Sequence, residues 1–313
     1  MSQNTMTTIY AGLDIAKLNL QLHLADRLHD LPNTTAGHRR RLKLLAARSG
    51  VQVVCEATGG YERDVVAALH QADVPVSVLN PARVRYFARA TGQRAKTDHI
   101  DAAVLSAYGQ ALQPKSTAPR TQPEQQLAQL VRRRVQVLDI LVAQRLQVQQ
   151  LTLPALRRQA QSLVRRLEHD VEQIEAQLRA LRTQTAALDE RAQKLEAITG
   201  VVTITALGVL AELPELGTLN RRQAAALAGL ALHPRESGQW HGCRSIGGGR
   251  APVRRALYMA ALVAAHTNRH LKQFYQRLRA AGKPAKVAIT AVMRKLVVLM
   301  NHILKNLDFA LQN

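Results

Sequence analysis

In the stretch KTDHIDA, residues 96–102, Asp98 and Asp101 stand three positions apart. On a helix that spacing brings both carboxylates onto one face, roughly 5–6 Å apart at Cβ. Like charges so placed repel, and a divalent cation between them removes the repulsion. Two further carboxylates end apolar runs that read as strands, Asp14 in TTIYAGLDIA and Glu56 in VQVVCEA. A buried sheet delivers such residues to its edge, where a helix face can meet them. Four oxygen donors around one point suit Mg²⁺ or Mn²⁺, not zinc. A pair of such ions about 4 Å apart activates an attacking oxygen and stabilises the leaving oxygen of a phosphodiester. Three of the acids also have a plainer reading, with Asp98 as a helix cap, Asp101 solvated in its first turn and Glu56 capping the helix after the ATGGY turn. The convergence of all four favours the metal.

These acids are few in a basic chain. The 313 residues carry 43 Lys and Arg against 22 Asp and Glu, a formal net charge of +21. Such an excess calls for a polyanionic partner, and nucleic acid fits better than a membrane because no apolar run of roughly 18 residues appears. The excess is concentrated at the end, where residues 201–313 hold 16 basic and 4 acidic residues. Cys55 and Cys243 are isolated, without zinc spacing or a disulfide framework, and the N-terminus has no basic-then-apolar signal. A cytoplasmic, nucleoid-associated protein is the expectation.

The first 118 residues are expected to form an α/β domain. TTIYAGLDIA and LNLQLHLAD suit an antiparallel hairpin, and TTAGHRRRLKLLAARSG reads as a helix with a Thr cap and Gly50 at its end. VQVVCEA, GYERDVVAALHQA, VPVSVLN and DHIDAAVLSAYGQ then alternate strand and helix, which predicts a mixed sheet flanked by helices.

Residues 119–198 predict a helical connector. Beyond Pro123 the span has no Gly and only Pro154. Leu167, Val171, Ile174, Leu178, Leu181, Thr185, Leu188, Ala192 and Leu195 recur at alternating four and three. That seam predicts a coiled coil, through which a homo-oligomer would assemble, or a long antiparallel helical pair turning near Pro154.

Residues 199–313 predict an all-α domain interrupted by one Gly-rich basic loop, HPRESGQWHGCRSIGGGR. Arg244, Arg250, Arg254 and Arg255 flank that loop and suit phosphate contact, with a solvated helix face as the alternative. Arg221 and Arg222 open a helix after Asn220, and with the turn at Gly200 they suggest a helix-hairpin-helix that offers backbone N–H groups to phosphate. Arg83, Arg85, Arg89, Arg94 and Lys96 are candidates to line the approach to the acids, and Arg235 lies inside the loop. Trp240 and Tyr258 suit base stacking or a core equally, and aromatics at 3% argue against extensive single-strand stacking.

YAGLDIAK alone also fits the first phosphate loop of sugar kinases and actin-like ATPases, but the downstream Gly-rich turns of those folds are missing. The ordered set GLDIAK, CEATGGY, LNPARVRYFARATGQRAKTDHIDA and LAGLALHPRESGQWHGCRSIGGGRAPVRRALYMAA resembles the DEDD transposases of the bacterial insertion sequence 110 family. The resemblance spans nearly the whole chain and is least specific in the connector. It implies a RuvC-like, RNase H-type domain, a long helical coiled-coil connector and a C-terminal transposase domain.

By position, the family's acidic tetrad falls on Asp14, Glu56, Asp98 and Asp101, with Mg²⁺ or Mn²⁺, two ions, as the implied cofactor. Its catalytic serine falls on Ser237 in PRESG, with Ser245 in CRSIGG as the nearby alternative. The family commonly has S-K-x-G where this chain reads SIGGGR, so Ile246 replaces a Lys. The resemblance further implies DNA partners (element ends and target) and a structured non-coding guide RNA. A serine beside an RNase H-type site points to recombination through a phosphoserine–DNA link, since a water nucleophile would merely cut. The competing expectations are a metal-dependent junction nuclease using water, and a non-catalytic nucleic-acid-binding protein whose acids are caps.

Overall fold

Apolar alternation in IYAGLDI sets the first strand of a five-stranded sheet. The computed structural model describes residues 8–93, 98–234, 236–237, 240–242 and 244–306. They fall into two compact units, Met1–Pro119 and Arg120–Asn313.

The first unit runs β1 (Ile9–Ile15), β2 (Asn19–Leu24), β3 (Arg27–Pro32), α1 (Thr35–Ala46), β4 (Val51–Glu56), α2 (Glu62–Gln71), β5 (Val76–Leu79), α3 (Pro81–Ala90) and α4 (Asp98–Leu112). The sheet order is β3-β2-β1-β4-β5. β1, β2 and β3 pair antiparallel, while β4 is parallel to β1 and to β5. This mixed sheet with helices on both faces is the α/β architecture expected of an RNase H-like domain. Ala11, Leu13, Ile15, Val53 and Cys55 pack with Leu45, Val65 and Leu69, so α1 and α2 cover one face. Tyr10, Val54 and Leu79 pack with Val84, Val104, Leu105 and Tyr108, so α3 and α4 cover the other.

The expected hairpin is a three-stranded meander. Ala25 (φ 48°) and Asp26 (φ 61°) are both left-handed and form a two-residue turn that brings Arg27 opposite Leu24. Such turns are recognised in sequence by Asn-Gly or Asp-Gly, and Ala-Asp carries no such mark.

Two buried groups sit on the α1/α2 side. Burial pushes the Cys55 thiol up to about 12. Arg41, fully buried, has only the Val65 carbonyl at 3.4 Å from Nη2, while its Nε and Nη1 lack a hydrogen-bond partner among the described residues. Burial lowers its pKa to about 10, so it stays charged at neutral pH.

The second unit comprises α5 (Gln122–Gln150), α6 (Pro154–Gln184), α7 (Ala186–Glu196), α8 (Thr203–Glu212), α9 (Arg221–Leu227), β6 (Leu232–His233), β7 (Glu236–Ser237), β8 (Trp240–His241), β9 (Ser245–Ile246), α10 (Ala251–Thr267), α11 (Arg269–Ala280) and α12 (Ala285–Lys305). α5 and α6 form an antiparallel pair turning before Pro154, tied across by Arg134–Glu175 and Arg145–Glu168 at 2.7 and 2.6 Å. The heptad seam is filled from within the chain. Leu167, Ile174, Leu178 and Leu181 share one core with Leu127, Val131, Val137 and Leu141 of α5 and with the C-terminal helices. The helix breaks at Thr185, in extended conformation, before Leu188, Ala192 and Leu195 resume the seam on α7.

The all-α expectation for residues 199–313 is corrected to mostly helical. The Gly-rich segment folds into two-residue pairings, β6 with β9 and β7 with β8. Runs of two residues carry no periodicity, so sequence patterning had nothing to register there. α12 is long and apolar enough to cross a membrane, but ten of its residues are buried in the unit's own core, as befits a central helix.

Candidate active site

Two glycines fix how α4 lies on the sheet. A Cβ on Gly12 would stand 1.9 Å from the Ala102 carbonyl and 2.5 Å from the Ser106 nitrogen. A Cβ on Gly109 would stand 2.6 Å from the Tyr10 Cβ. Tyr10 thus meets the helix near Ser106 and Gly109, and Gly12, two residues on, meets it one turn earlier. α4 therefore runs antiparallel to β1. One more step of two along the strand, about 6.6 Å, matches one turn back along the helix, about 5.4 Å. That step brings Asp14 level with the first turn of α4, which contains Asp98 and Asp101.

Strand pairing adds the fourth acid. The parallel register pairs Gly12 with Val54 and Leu13 with Cys55. One residue further along each strand come Asp14 and Glu56, so they end adjacent strands at the same edge. Side chains alternate between faces, and Tyr10 and Val54 face α4. Asp14 and Glu56 share that parity and therefore that face. Asp14, Glu56 and Asp101 are half-buried, and none is without a polar or electrostatic partner.

Glu56 does not serve as the cap of the helix that follows it. Glu62, the first residue of α2, instead ties down the preceding turn: its Oε2 accepts from the Thr58 nitrogen at 3.2 Å, the Thr58 hydroxyl at 3.0 Å and the Gly60 nitrogen at 2.7 Å, and the N-cap Tyr61 makes no side-chain cap bond. Asp98 opens α4, and its side chain lies outside the described residues, as do Arg94 and Lys96 entirely.

Among the described residues, no three acidic, His or Cys side chains form an assembled metal cage. The donor chemistry is nonetheless all oxygen, with two carboxylates on neighbouring strand ends and a third level with them. That fits a hard divalent cation.

Two residues that sequence reading passed over adjoin this set. Gln21 pairs across the ladder with Asp14, and His23 with Gly12. Gln21 Oε1 and His23 Nδ1 are buried without a hydrogen-bond partner among the described residues. The alternation in LNLQLHL was the available signal, because it separates Gln21 and His23 from the apolar leucines.

In the second unit, the ladder pairs Ser237 with Trp240 and Ser245 with His233. Ser245 is exposed, the Ser237 side chain lies outside the described residues, and so does the whole of Arg235. Arg221 and Arg222 are exposed at the start of α9, behind a capping box formed by Asn220 and Gln223. Arg244 is exposed.

Arg250, Arg254 and Arg255 are engaged locally. Arg250 holds both oxygens of Glu215, at 2.7 and 2.6 Å, and the Glu212 carbonyl at 2.8 Å. Burial raises the Glu215 carboxyl, but the hydrogen bonds and charge of Arg250 outweigh it and leave the pKa below its ordinary value. Arg254 donates to the Gly248 carbonyl at 2.6 Å, and Arg255 to Asp139 at 2.8 Å.

Comparison with known proteins gives matches in both units. A transposase family model of the DEDD type, named for IS110, matches residues 11–152, and the model of the IS116/IS110/IS902 transposase family matches residues 192–276. A pilin gene-inverting protein of Moraxella bovis is 27% identical over 306 residues, 94% of this chain and 95% of its own. The protein of the same name from Moraxella lacunata matches to the same extent. The structure of Thermus thermophilus RuvC aligns over 34% of this chain and 99% of its own, at 16% identity and a TM-score of 0.28.

Proposed function

This chain belongs to the IS116/IS110/IS902 family of transposases, and on that premise we propose that it cuts and rejoins DNA using Asp14, Glu56, Asp98, Asp101 and Ser237. The observation that carries the acidic part is the shared edge and face of Asp14 and Glu56, with Asp101 level beside them. A divalent cation or a pair of them held there would supply Lewis acidity at the scissile phosphate. The four carboxylates would orient that charge.

Ser237 is the nucleophile in this reading. Its Oγ bonds to phosphorus, the deoxyribose oxygen leaves with the electron pair and takes a proton, and the serine proton passes to a base, for which His233 and His241 stand nearest in sequence. The phosphoserine so formed keeps the bond energy available for rejoining. Relatives named for gene inversion support rejoining over simple hydrolysis, because inversion requires both cutting and resealing.

Arg221, Arg222 and Arg244 are the phosphate contacts of this reading, joined by Arg94, Lys96 and Arg235. Arg250, Arg254 and Arg255 tie the start of α10 to Glu215, Gly248 and Asp139 while contributing positive potential. The basic chain with no base-reading motif is consistent with an RNA that supplies sequence recognition. Self-association belongs to the same reading. The heptad seam is spent inside the chain, so in this reading a second copy meets the exposed leucines Leu146, Leu153, Leu156 and Leu163 at the hairpin tip.

The deciding experiment is adduct trapping with element-end DNA, RNA from the flanking region and Mg²⁺. A denaturation-resistant protein–DNA link in wild type, lost in Ser237→Ala and in Asp14→Ala, is the expected result. Cleavage that needs Asp14, leaves no adduct and survives Ser237→Ala would make the protein a water-using nuclease.

A further inference from the structure

Between Glu236 and Asp308 the sequence holds no Asp or Glu, yet it holds 13 Lys and Arg. The cations of this stretch therefore have no acid of their own segment to pair with. Arg250 and Arg255 find carboxylates elsewhere in the unit. Those of α11 do not, since no ion pair among the described residues involves them.

Their arrangement is regular. Arg269, Lys272, Gln276 and Arg279 follow one another at i, i+3, i+7 and i+10, all exposed, so they form a single polar row along α11. Lys283 and Lys286, also exposed, continue the positive charge past the end of the helix. The row runs about 15 Å from Arg269 to Arg279, at 1.5 Å per residue. One DNA strand presents a phosphate about every 3.4 Å of helix axis, so the row is commensurate with roughly four of them.

The opposite side of α11 is anchored. Leu271 is buried, and Phe274 and Tyr275 pack against the core of the unit. Phe274 lies under two cations, the Lys295 ammonium 4.1 Å and the Arg277 guanidinium 5.4 Å from its ring centre. Arg279 donates to the Lys283 carbonyl at 2.7 Å, fixing the turn beyond the helix. The helix that carries the row is thus seated on the core by its other side.

We infer that the exposed row of α11 with Lys283 and Lys286 is a docking track for the sugar-phosphate backbone of duplex DNA. The row carries no aromatic side chain, which disfavours single strands, whose bases would need stacking partners. It holds no carboxylate or amide cluster to read base edges beyond Gln276, so the contact positions DNA and does not select sequence. This track rests on the family's action on DNA but not on the assignment of Ser237 or of the metal site, because binding is measured without cleavage.

The test is the salt dependence of affinity for element-end duplex, followed by fluorescence anisotropy over about 50–200 mM salt. Glutamine keeps helix propensity, so Arg269→Gln/Lys272→Gln/Arg279→Gln removes charge alone, with helicity checked by circular dichroism. The slope of log K against log salt is expected to flatten by about 2–3, near 0.9 for each phosphate that is no longer neutralised. The matched variant Arg157→Gln/Arg158→Gln/Arg165→Gln on exposed positions of α6 is expected to leave the slope close to wild type. An unchanged slope in the α11 variant would overturn the inference, and so would equal losses in both variants, which would mean net charge only. Loss confined to structured RNA would assign the row to a different partner and equally overturn it.

Discussion

The Ser106 hydroxyl donates to the Tyr10 carbonyl at 2.7 Å, a buried contact across 96 positions of sequence. It pins the middle of α4 to β1, and with Gly12 and Gly109 it sets how far along the strand the helix sits. The position of Asp98 and Asp101 relative to Asp14 depends on that seating.

Filling the Gly12 gap is therefore expected to damage both fold and chemistry. Gly12→Val drives a side chain into the backbone of α4, at a cost of about 1–3 kcal/mol or more. Ser106→Ala, which removes one buried hydroxyl contact, is expected to cost about 1 kcal/mol. Denaturant midpoints measure both costs, and DNA cleavage should fall further in the Gly12 variant than in Ser106→Ala. Equal stability of Gly12→Val and wild type would refute the seating.

Metal should act as a stabilising ligand of the first unit. If Asp14, Glu56 and Asp101 hold the ion, Mg²⁺ or Mn²⁺ at about a hundredfold excess over Kd adds about 2.7 kcal/mol to unfolding. Asp14→Asn relieves repulsion among the acids, so the metal-free variant is expected to melt no lower than wild type while gaining little from the ion. Thermal melts with and without chelator decide this. A full metal response in Asp14→Asn would remove Asp14 from the site.

The Arg250–Glu215 pair predicts an acid-sensitive second unit. The folded pKa of Glu215 is depressed, so its contribution is present above the unfolded value and is lost as pH falls through the folded one. For a side chain 40% exposed the magnitude is modest, about 0.5–1 kcal/mol. Arg250→Gln should be less stable than wild type near neutrality, with the gap closing below the ordinary carboxylate range near 4.5. A gap of constant size across that range would show that the ion pair is not the cause.

The placement of the candidate acids was legible because they end recognisable elements. VQVVCE is apolar enough to read as a buried strand, and its last residue falls at an edge by construction. The i, i+3 spacing of Asp98 and Asp101 needed only the helix that surrounds them. What sequence could not supply were partners distant along the chain. Nothing near Arg250 points to Glu215, 35 residues away, and the phosphate role read from its position alone overlooked that pairing. The seam from Leu167 to Leu195 was equally visible, but spacing states only that an apolar stripe is buried, not whether the covering surface belongs to the same chain. Glu62 was missed because its acceptor role depends on a turn held open by Gly59 and Gly60, at φ 77° and 136°.

Arg41 gives the sheet a built-in polarity. Its guanidinium is sealed on the α1/α2 side next to Cys55, while Glu56 and Asp14 open on the opposite side, one strand position further on. A guanidinium does not discharge at any pH a cell reaches, so the domain carries a fixed positive pole behind its acidic edge. That charge acts on its immediate neighbour, the Cys55 thiol, where it partly offsets the burial that pushes the thiol up. The two faces of the sheet thus differ in kind within one strand position: a sealed cation beside a thiol on one side, half-buried carboxylates on the other.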